Sequence, residues 1–204
     1  MKKSVMIDPG HGGVHPGAVD KDLGYKEKDI VLKVAEFMKD ELVKNHSDIF
    51  VWMTRTEDIT LSLQGRCNLA DEAGVSVFMS IHTNARCLKG RKGLEIETYH
   101  CRGSKTGKRF AKIVQKNLVA ENYKGPPTID RGVKVGKRWS KKKQKWMPFY
   151  VLKHTRMPAI LVELGFLSDF EEMIILSSPY YQETMGKCLA RSLAEFFDKE
   201  EDDG

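Results

Sequence analysis

Apolar and polar positions along the chain fall into short runs that alternate between two periods, and this alternation predicts an α/β arrangement. Ser4 to Ile7 is a short apolar strand that ends in the turn-forming sequence DPGHGGVHPG. Ile30, Val31, Val34, Phe37, Met38 and Leu42 recur at helical spacing, so a helix with one apolar stripe is expected from Glu27 to about Asn45. Ile49 to Met53 predicts the next strand and Leu61 to Ala73 the next helix. Val75 to Ile81 is apolar almost throughout and reads as a central strand buried on both faces, with His82 just past its end. Leu94 to Tyr99 alternates like a half-exposed strand, and Phe110, Ile113, Val114 and Leu118 stripe a helix from Lys105 to Glu121. Residues 122–148 carry little pattern, with Gly125, Pro126 and Pro127 marking a break. Phe149 to Leu152 and Ala159 to Leu164 are expected as the last strands, and Asp169 to Leu176 and Tyr180 to Lys199 as the closing helices. No internal repeat and no second core is apparent.

Chain-wide quantities narrow this picture. At 204 residues, with 41% hydrophobic and 30% charged residues, the chain fits one domain with its own core. The expected division is a catalytic domain over residues 1–197 and an acidic tail, DKEEDDG, over 198–204. Two lysines open the chain, but only four apolar-leaning residues follow before the DPGHGG turn, too few for a signal-peptide core. No apolar run approaches the ~20 residues that span a bilayer. A chain made in the cytoplasm without a signal is therefore expected. Cys67, Cys87, Cys101 and Cys188 form no C-x-x-C pair, which argues against a cysteine-bound zinc or a redox motif and for free thiols.

The net charge of +6 is unevenly spread. Lys137 to Trp146 reads KRWSKKKQKW, six basic residues in ten with two tryptophans, and this run points to a polyanionic partner without naming it. A charge run is often only a solvated loop, and no nucleic-acid motif accompanies this one. Its place between RGVK and the strand leading to Glu163 leads us to expect it near the rim of any site there.

The residues with the most chemistry are His11, Glu27, His82 and Glu163. Two imidazoles and a carboxylate are ligand types that hold a catalytic zinc with one position open to water, and a second carboxylate can serve that water as a base. Each also has an ordinary reading. His11 could be a turn residue among glycines, His82 could bridge loops, and Glu27 could only favour a helix N-terminus. Glu163 is harder to explain structurally, because it interrupts an apolar strand where an unpaired carboxylate is costly. His11, His82 and Glu163 fall at predicted strand ends and Glu27 at a helix start. In a mainly parallel sheet those positions share one side. The glycines Gly10, Gly12, Gly13 and Gly17 match neither nucleotide-binding fingerprint, so a tight turn that carries His11 is their simpler use.

The segments IDPGHGGVHPGA, EKDIVL, TRTEDITLSLQGRCNLA, SVFMSIHTNA, RGVK and FYVLKHTRMPAILVELGFLSD follow one another between Val5 and about Leu193. In these segments, and in their order, the chain resembles the zinc-dependent N-acetylmuramoyl-L-alanine amidases of bacteria and their phages, the type 3 family. The resemblance implies a single α/β domain with a mostly parallel sheet of about six strands flanked by helices. It implies one zinc per chain on His11, Glu27 and His82, and Glu163 as the catalytic acid/base. It implies peptidoglycan as substrate, cut between N-acetylmuramic acid and the L-alanine of the stem peptide. The chain is expected to act on the wall after release by a phage, or as an autolysin or sporulation amidase. It departs from the family at His15, where an acidic residue is usual, and at Asp169, where asparagine is. His15 is expected beside the metal site or facing solvent, and Asp169 keeps a capping role.

A zinc peptidase acting on a stem-peptide bond uses the same chemistry and stays open at this stage, as does, more remotely, a basic polyanion-binding module. The partners expected are peptidoglycan and, through Lys137 to Trp146, anionic wall polymers, with no nucleic acid, no membrane span and a monomeric chain.

Overall fold

The computed structural model describes residues 3–20, 22–85 and 93–202. Its centre is a six-stranded sheet made of β1 (Ser4–Pro9), β2 (Phe50–Met53), β3 (Val77–Asn84), β4 (Leu94–His100), β5 (Thr128–Val135) and β8 (Ala159–Phe166). The strands run in the order β2-β1-β3-β8-β4-β5. β1 is parallel to β2 and β3, and β3 is parallel to β8. β4 lies antiparallel to β8, and β5 follows β4 in parallel, so the last two strands point the opposite way.

Side-chain alternation divides the core. Val5, Ile7, Val77, Met79, Ile81, Ile160 and Val162 face the helices α1 (Glu27–Asn45), α3 (Lys105–Ala120) and α6 (Pro179–Asp202). Met6, Phe78 and Leu161 face the other way, onto α2 (Leu63–Ala73) and α4 (Tyr150–His154). Burial of these aliphatic faces is the main favourable term holding the three layers. The apolar stripe predicted for α1 is the face that packs: Ile30, Val31, Val34, Met38 and Leu42 are buried. Gly186 lets α6 come against α1, since a Cβ there would meet the Val34 carbonyl oxygen at 2.7 Å.

Several expectations need correction. β4 is buried along nearly its whole length instead of half-exposed, because Glu95 and Glu97 are paired inside the fold with Arg131 and Lys134. Residues 122–148 contain β5 and a two-stranded hairpin, β6 (Lys137–Ser140) and β7 (Lys145–Pro148). The segment expected as a strand at Phe149 is the helix α4, a run too short for periodicity to separate the two cases. His82 lies within β3, not beyond it. The acidic run expected as a tail continues α6 to Asp202, where Asp198 and Glu201 pair with Lys3.

α5 (Phe170–Leu176) starts on Asp169, whose carboxylate accepts from the backbone N–H groups of Glu171 and Glu172, so the expected cap forms. Cys67, Cys101 and Cys188 are free thiols, and Cys87 lies outside the described residues. No helix among the described residues is long and apolar enough to cross a membrane.

Candidate metal centre and catalytic cleft

The chain leaves β1 for β2 on one side and reaches β3 on the other, so a crevice opens at the C-terminal ends of β1 and β3, the position where such sheets build their sites. His11 sits in the turn after β1, Glu27 is the first residue of α1, and His82 is in β3. One ligand atom from each of the three lies within 4.8 Å of those of the other two. His82 Nδ1 is 2.8 Å from Glu27 Oε1, and His11 Nε2 is 3.2 Å from Glu27 Oε2. The imidazole rings meet edge to face with centroids 5.0 Å apart.

Two glycines make room for this group. A Cβ on Gly10 would fall within 2.3 Å of the His82 ring. A Cβ on Gly17 would fall 2.4 Å from Glu27 Oε2 and 2.8 Å from His11 Cδ2, and Gly17 has φ +74. The glycine-rich turn therefore serves close approach as well as direction.

His11 itself has φ 59, a left-handed conformation uncommon for a residue with a side chain. Two arginines hold the backbone there. Arg55 donates to the carbonyls of Pro9, Gly10, Glu57 and Lys28. Arg66 donates to the carbonyls of Pro9 and His11 and pairs with the buried carboxylate of Asp8 at 2.6 Å. Asp8 also accepts from Thr54 and Ser80; burial opposes its ionisation, but the Arg66 charge and these hydroxyls hold its carboxyl below the usual range. Further out, Asp58 and Thr60 accept from the N–H groups of Gly13 and Val14, and Lys28 bridges Gly13 to Asp58. Arg55 and Arg66 had no role on sequence grounds. Their signal was present in the TRTED and QGR segments, as charged residues just after an apolar strand and inside a helix that buries them.

Glu163 stands in β8 with His82 as its register partner on β3 and Glu97 as its partner on β4. The structure thus gathers all four residues singled out in the sequence into one cleft of about 480 Å³, also lined by His15, Asn84 and Pro16. His15 is exposed at the rim and outside the three-ligand cluster.

The two carboxylates of the cleft differ in their partners. Burial opposes ionisation of Glu27, yet contacts with His11 and His82 outweigh it and hold the carboxyl far below its ordinary range. It accepts in addition from the backbone N–H groups of Ala18 and Thr83. Glu163 Oε2 is buried and has no hydrogen-bond partner among the described residues. Burial, followed by the charges of Glu27 and Glu97, pushes the Glu163 carboxyl well above its ordinary range.

Burial opposes ionisation of Glu97, but Arg131 and Lys134 donating to Oε2 and Tyr99 donating to Oε1 hold its carboxyl below the ordinary range, and Asn84 also donates to Oε1. Arg131 also lies 4.9 Å over the Phe166 ring. The RGVK segment therefore anchors the carboxylate beside Glu163. Glu97 was not identified from sequence, since its alternating strand looked half-exposed.

A donor set of two imidazoles and a carboxylate, converging within metal-binding reach beside an unpartnered buried carboxyl oxygen, fits a divalent metal of zinc's preferences.

Residues 5–195 match the family described as N-acetylmuramoyl-L-alanine amidase. The chain is 30% identical over 223 residues to the N-acetylmuramoyl-L-alanine amidase AmiC of Escherichia coli O6:H1, which covers 95% of this chain and 52% of AmiC. It thus spans about half the length of that curated relative. The crystal structure of an N-acetylmuramoyl-L-alanine amidase from Clostridium difficile 630 superposes with a TM-score of 0.81 at 31% identity, covering 96% of this chain and 97% of that one. The catalytic domain of CwlV, an amidase from Bacillus (Paenibacillus) polymyxa var. colistinus, also gives 0.81 at 31% identity, over 96% and 98% of the two chains.

Proposed function

The chain belongs to the N-acetylmuramoyl-L-alanine amidase family, and on that premise we propose that it is a peptidoglycan hydrolase that cuts the amide bond between N-acetylmuramic acid and the L-alanine of the stem peptide. His11, Glu27 and His82 hold one zinc ion per chain, and Glu163 is the acid/base. The observation that carries this reading is the pairing of a fully satisfied carboxylate, Glu27, with an unsatisfied one, Glu163, in one cleft.

Zinc bound to such a set supplies a Lewis acid that polarises a carbonyl and makes water more acidic. Glu27 brings the negative charge that favours a dication, and its backbone donors from Ala18 and Thr83 fix the carboxylate's orientation. Glu163 takes a proton from the attacking water as the new C–O bond forms. It returns that proton to the alanine nitrogen as the C–N bond breaks, so that the amine leaves neutral. The raised affinity of Glu163 for a proton suits the holding step, and burial, followed by the charges of Glu27 and Glu97, keeps that affinity high. All four residues come from one chain, so a monomer suffices.

Mass spectrometry of digested wall tests the bond. Glycan that keeps its lactyl group, together with an intact stem peptide that starts at alanine, is the expected product. Shortened stem peptides would instead mean a zinc peptidase using the same site.

A further inference from the structure

The β6–β7 hairpin carries the basic run singled out in the sequence, and the fold places it away from the cleft. Residues near the N-terminus of β8 and the C-terminus of β4 share one end of the sheet: His100 pairs with Ile160 and with Val135, whereas Glu163 lies toward the other end. The hairpin starts from that far end, where the Gly136 N–H donates to the His100 carbonyl and the Phe149 N–H to Gly136. The expectation that it lines the active-site rim is therefore wrong. β5 runs opposite to β8, so its exit leads away from the cleft.

We propose that this hairpin is a separate binding surface for an anionic, phosphodiester-linked sugar polymer of the wall; the proposal rests on the wall being the substrate's setting. Trp139 and Trp146 face each other across the two strands, with ring centroids 5.7 Å apart, and are 48% and 57% exposed. Lys137 Nζ lies 4.9 Å over the Trp146 ring, so cation and indole already share one face. By strand alternation Arg138 and Lys145 occupy the other face, and Lys141, Lys142 and Lys143 form the tip. No acidic residue occurs between Arg131 and Glu163, so the run carries no carboxylate of its own.

The turn is built. The Lys143 N–H donates to Ser140 Oγ, the Gln144 amide donates to the Lys141 carbonyl, and Gln144 takes φ 47. The hairpin packs chiefly between its own two strands, which leaves both faces open.

Cations on two faces and a tip suit a flexible polyanion that can wrap the ribbon, and an indole face suits the apolar face of a sugar ring. A bilayer fits less well. The tryptophans lie behind a tip of three lysines, so seating the indoles in lipid would drag those charges inward.

The test uses the full chain and two preparations of wall sacculi, one retaining its phosphodiester-linked polymers and one stripped of them by acid. Binding is read by co-sedimentation in the cold after brief contact. Lys141→Ala/Lys142→Ala/Lys143→Ala and Trp139→Ala/Trp146→Ala should each weaken binding to unstripped sacculi about tenfold, a sum of several modest exposed contacts. The lysine variant should also show a flatter salt dependence, because exposed charges are screened within ~8 Å at physiological ionic strength. On stripped sacculi all three proteins should bind alike. Hydrolysis of a small soluble muropeptide should be unchanged in both variants.

The proposal is overturned if stripping leaves wild-type binding unchanged, or if the lysine variant binds unstripped sacculi like wild type. It is equally overturned if vesicles of anionic lipid or duplex DNA bind the wild type as tightly as the polymer-bearing wall. Failure of the amidase reading would look different, as no muropeptide hydrolysis by any of the three proteins whatever the binding result.

Discussion

Glu27 and Glu163 border the same cleft, and the two sides of that cleft treat a carboxylate in opposite ways. On the Glu27 side two imidazoles and two backbone N–H groups converge on the side chain, so the charged form is favoured despite burial. On the Glu163 side Oε2 has no hydrogen-bond partner among the described residues, and burial followed by the charges of Glu27 and Glu97 raises the carboxyl's affinity for a proton. The difference comes from packing and not from residue type. It separates two jobs, since a permanently charged carboxylate suits holding a cation and a carboxyl that readily takes a proton suits moving one.

The largest effect should come from dismantling the Glu27 side. His82→Ala, or a strong chelator on the wild-type chain, should reduce wall hydrolysis to background, with zinc restoring only the chelated wild type. Elemental analysis alongside the assay checks this, and full activity in a metal-free preparation would break the comparison.

A smaller effect is expected from the support beneath the ligands. Arg55→Ala leaves the Gly10 carbonyl without its side-chain donor and removes one of the donors to the Pro9 and Lys28 carbonyls, and a buried carbonyl left unpaired costs ~1–3 kcal/mol, so unfolding free energy should fall by about 1–3 kcal/mol in denaturant titrations. An unchanged midpoint would mean that water replaces the guanidinium and that the clamp is dispensable.

Gly17→Ala acts more locally. Its new methyl group competes with Glu27 and His11 for space, so metal affinity should drop roughly 10 to 100-fold while the fold persists, as for other changes beside a ligand. Equilibrium dialysis against zinc, with circular dichroism as a control for folding, measures it.

The smallest effect sharpens the comparison by using a third carboxyl. Glu172 is buried outside the cleft, and burial pushes its carboxyl up to about 7 although the N–H groups of Phe166 and Glu95 donate to it. Because its folded value is raised, the native state binds more protons than the unfolded one between pH 4.5 and about 7. Its contribution to stability is therefore full below that window and is lost as pH rises through it. Glu172→Gln should remove that decline, seen as a flatter dependence of stability on pH across the window, with hydrolysis unaffected at its optimum. A slope unchanged from wild type would show that Glu172 is not the source.

Much of this was legible in the sequence where one physical signal dominated. The stripes of α1 and α3 and the apolar runs of β1, β3 and β8 read directly, because burial on one side of a regular element imposes its period. β5 did not, since Asp130, Arg131 and Lys134 serve Gln115, Glu95 and Glu97 and break up any apolar alternation. The hairpin was hidden because its turn uses Gln144 in place of the Gly or Asn that marks such turns. At the site, His11, Glu27, His82 and Glu163 were recognisable by type and position. Arg55, Arg66 and Glu97 were not, because their work is to satisfy backbone and charge across strands that are distant in sequence.

The most direct test of the division between the two sides is Glu163→Gln, assayed for both metal content and turnover of a soluble muropeptide. The account predicts one zinc per chain in the variant and the wild type alike, with turnover of the variant lowered by about 100 to 10,000-fold, the usual range for a lost acid/base. A variant that loses its zinc yet keeps wild-type turnover per remaining metal ion would make Glu163 a ligand and contradict it.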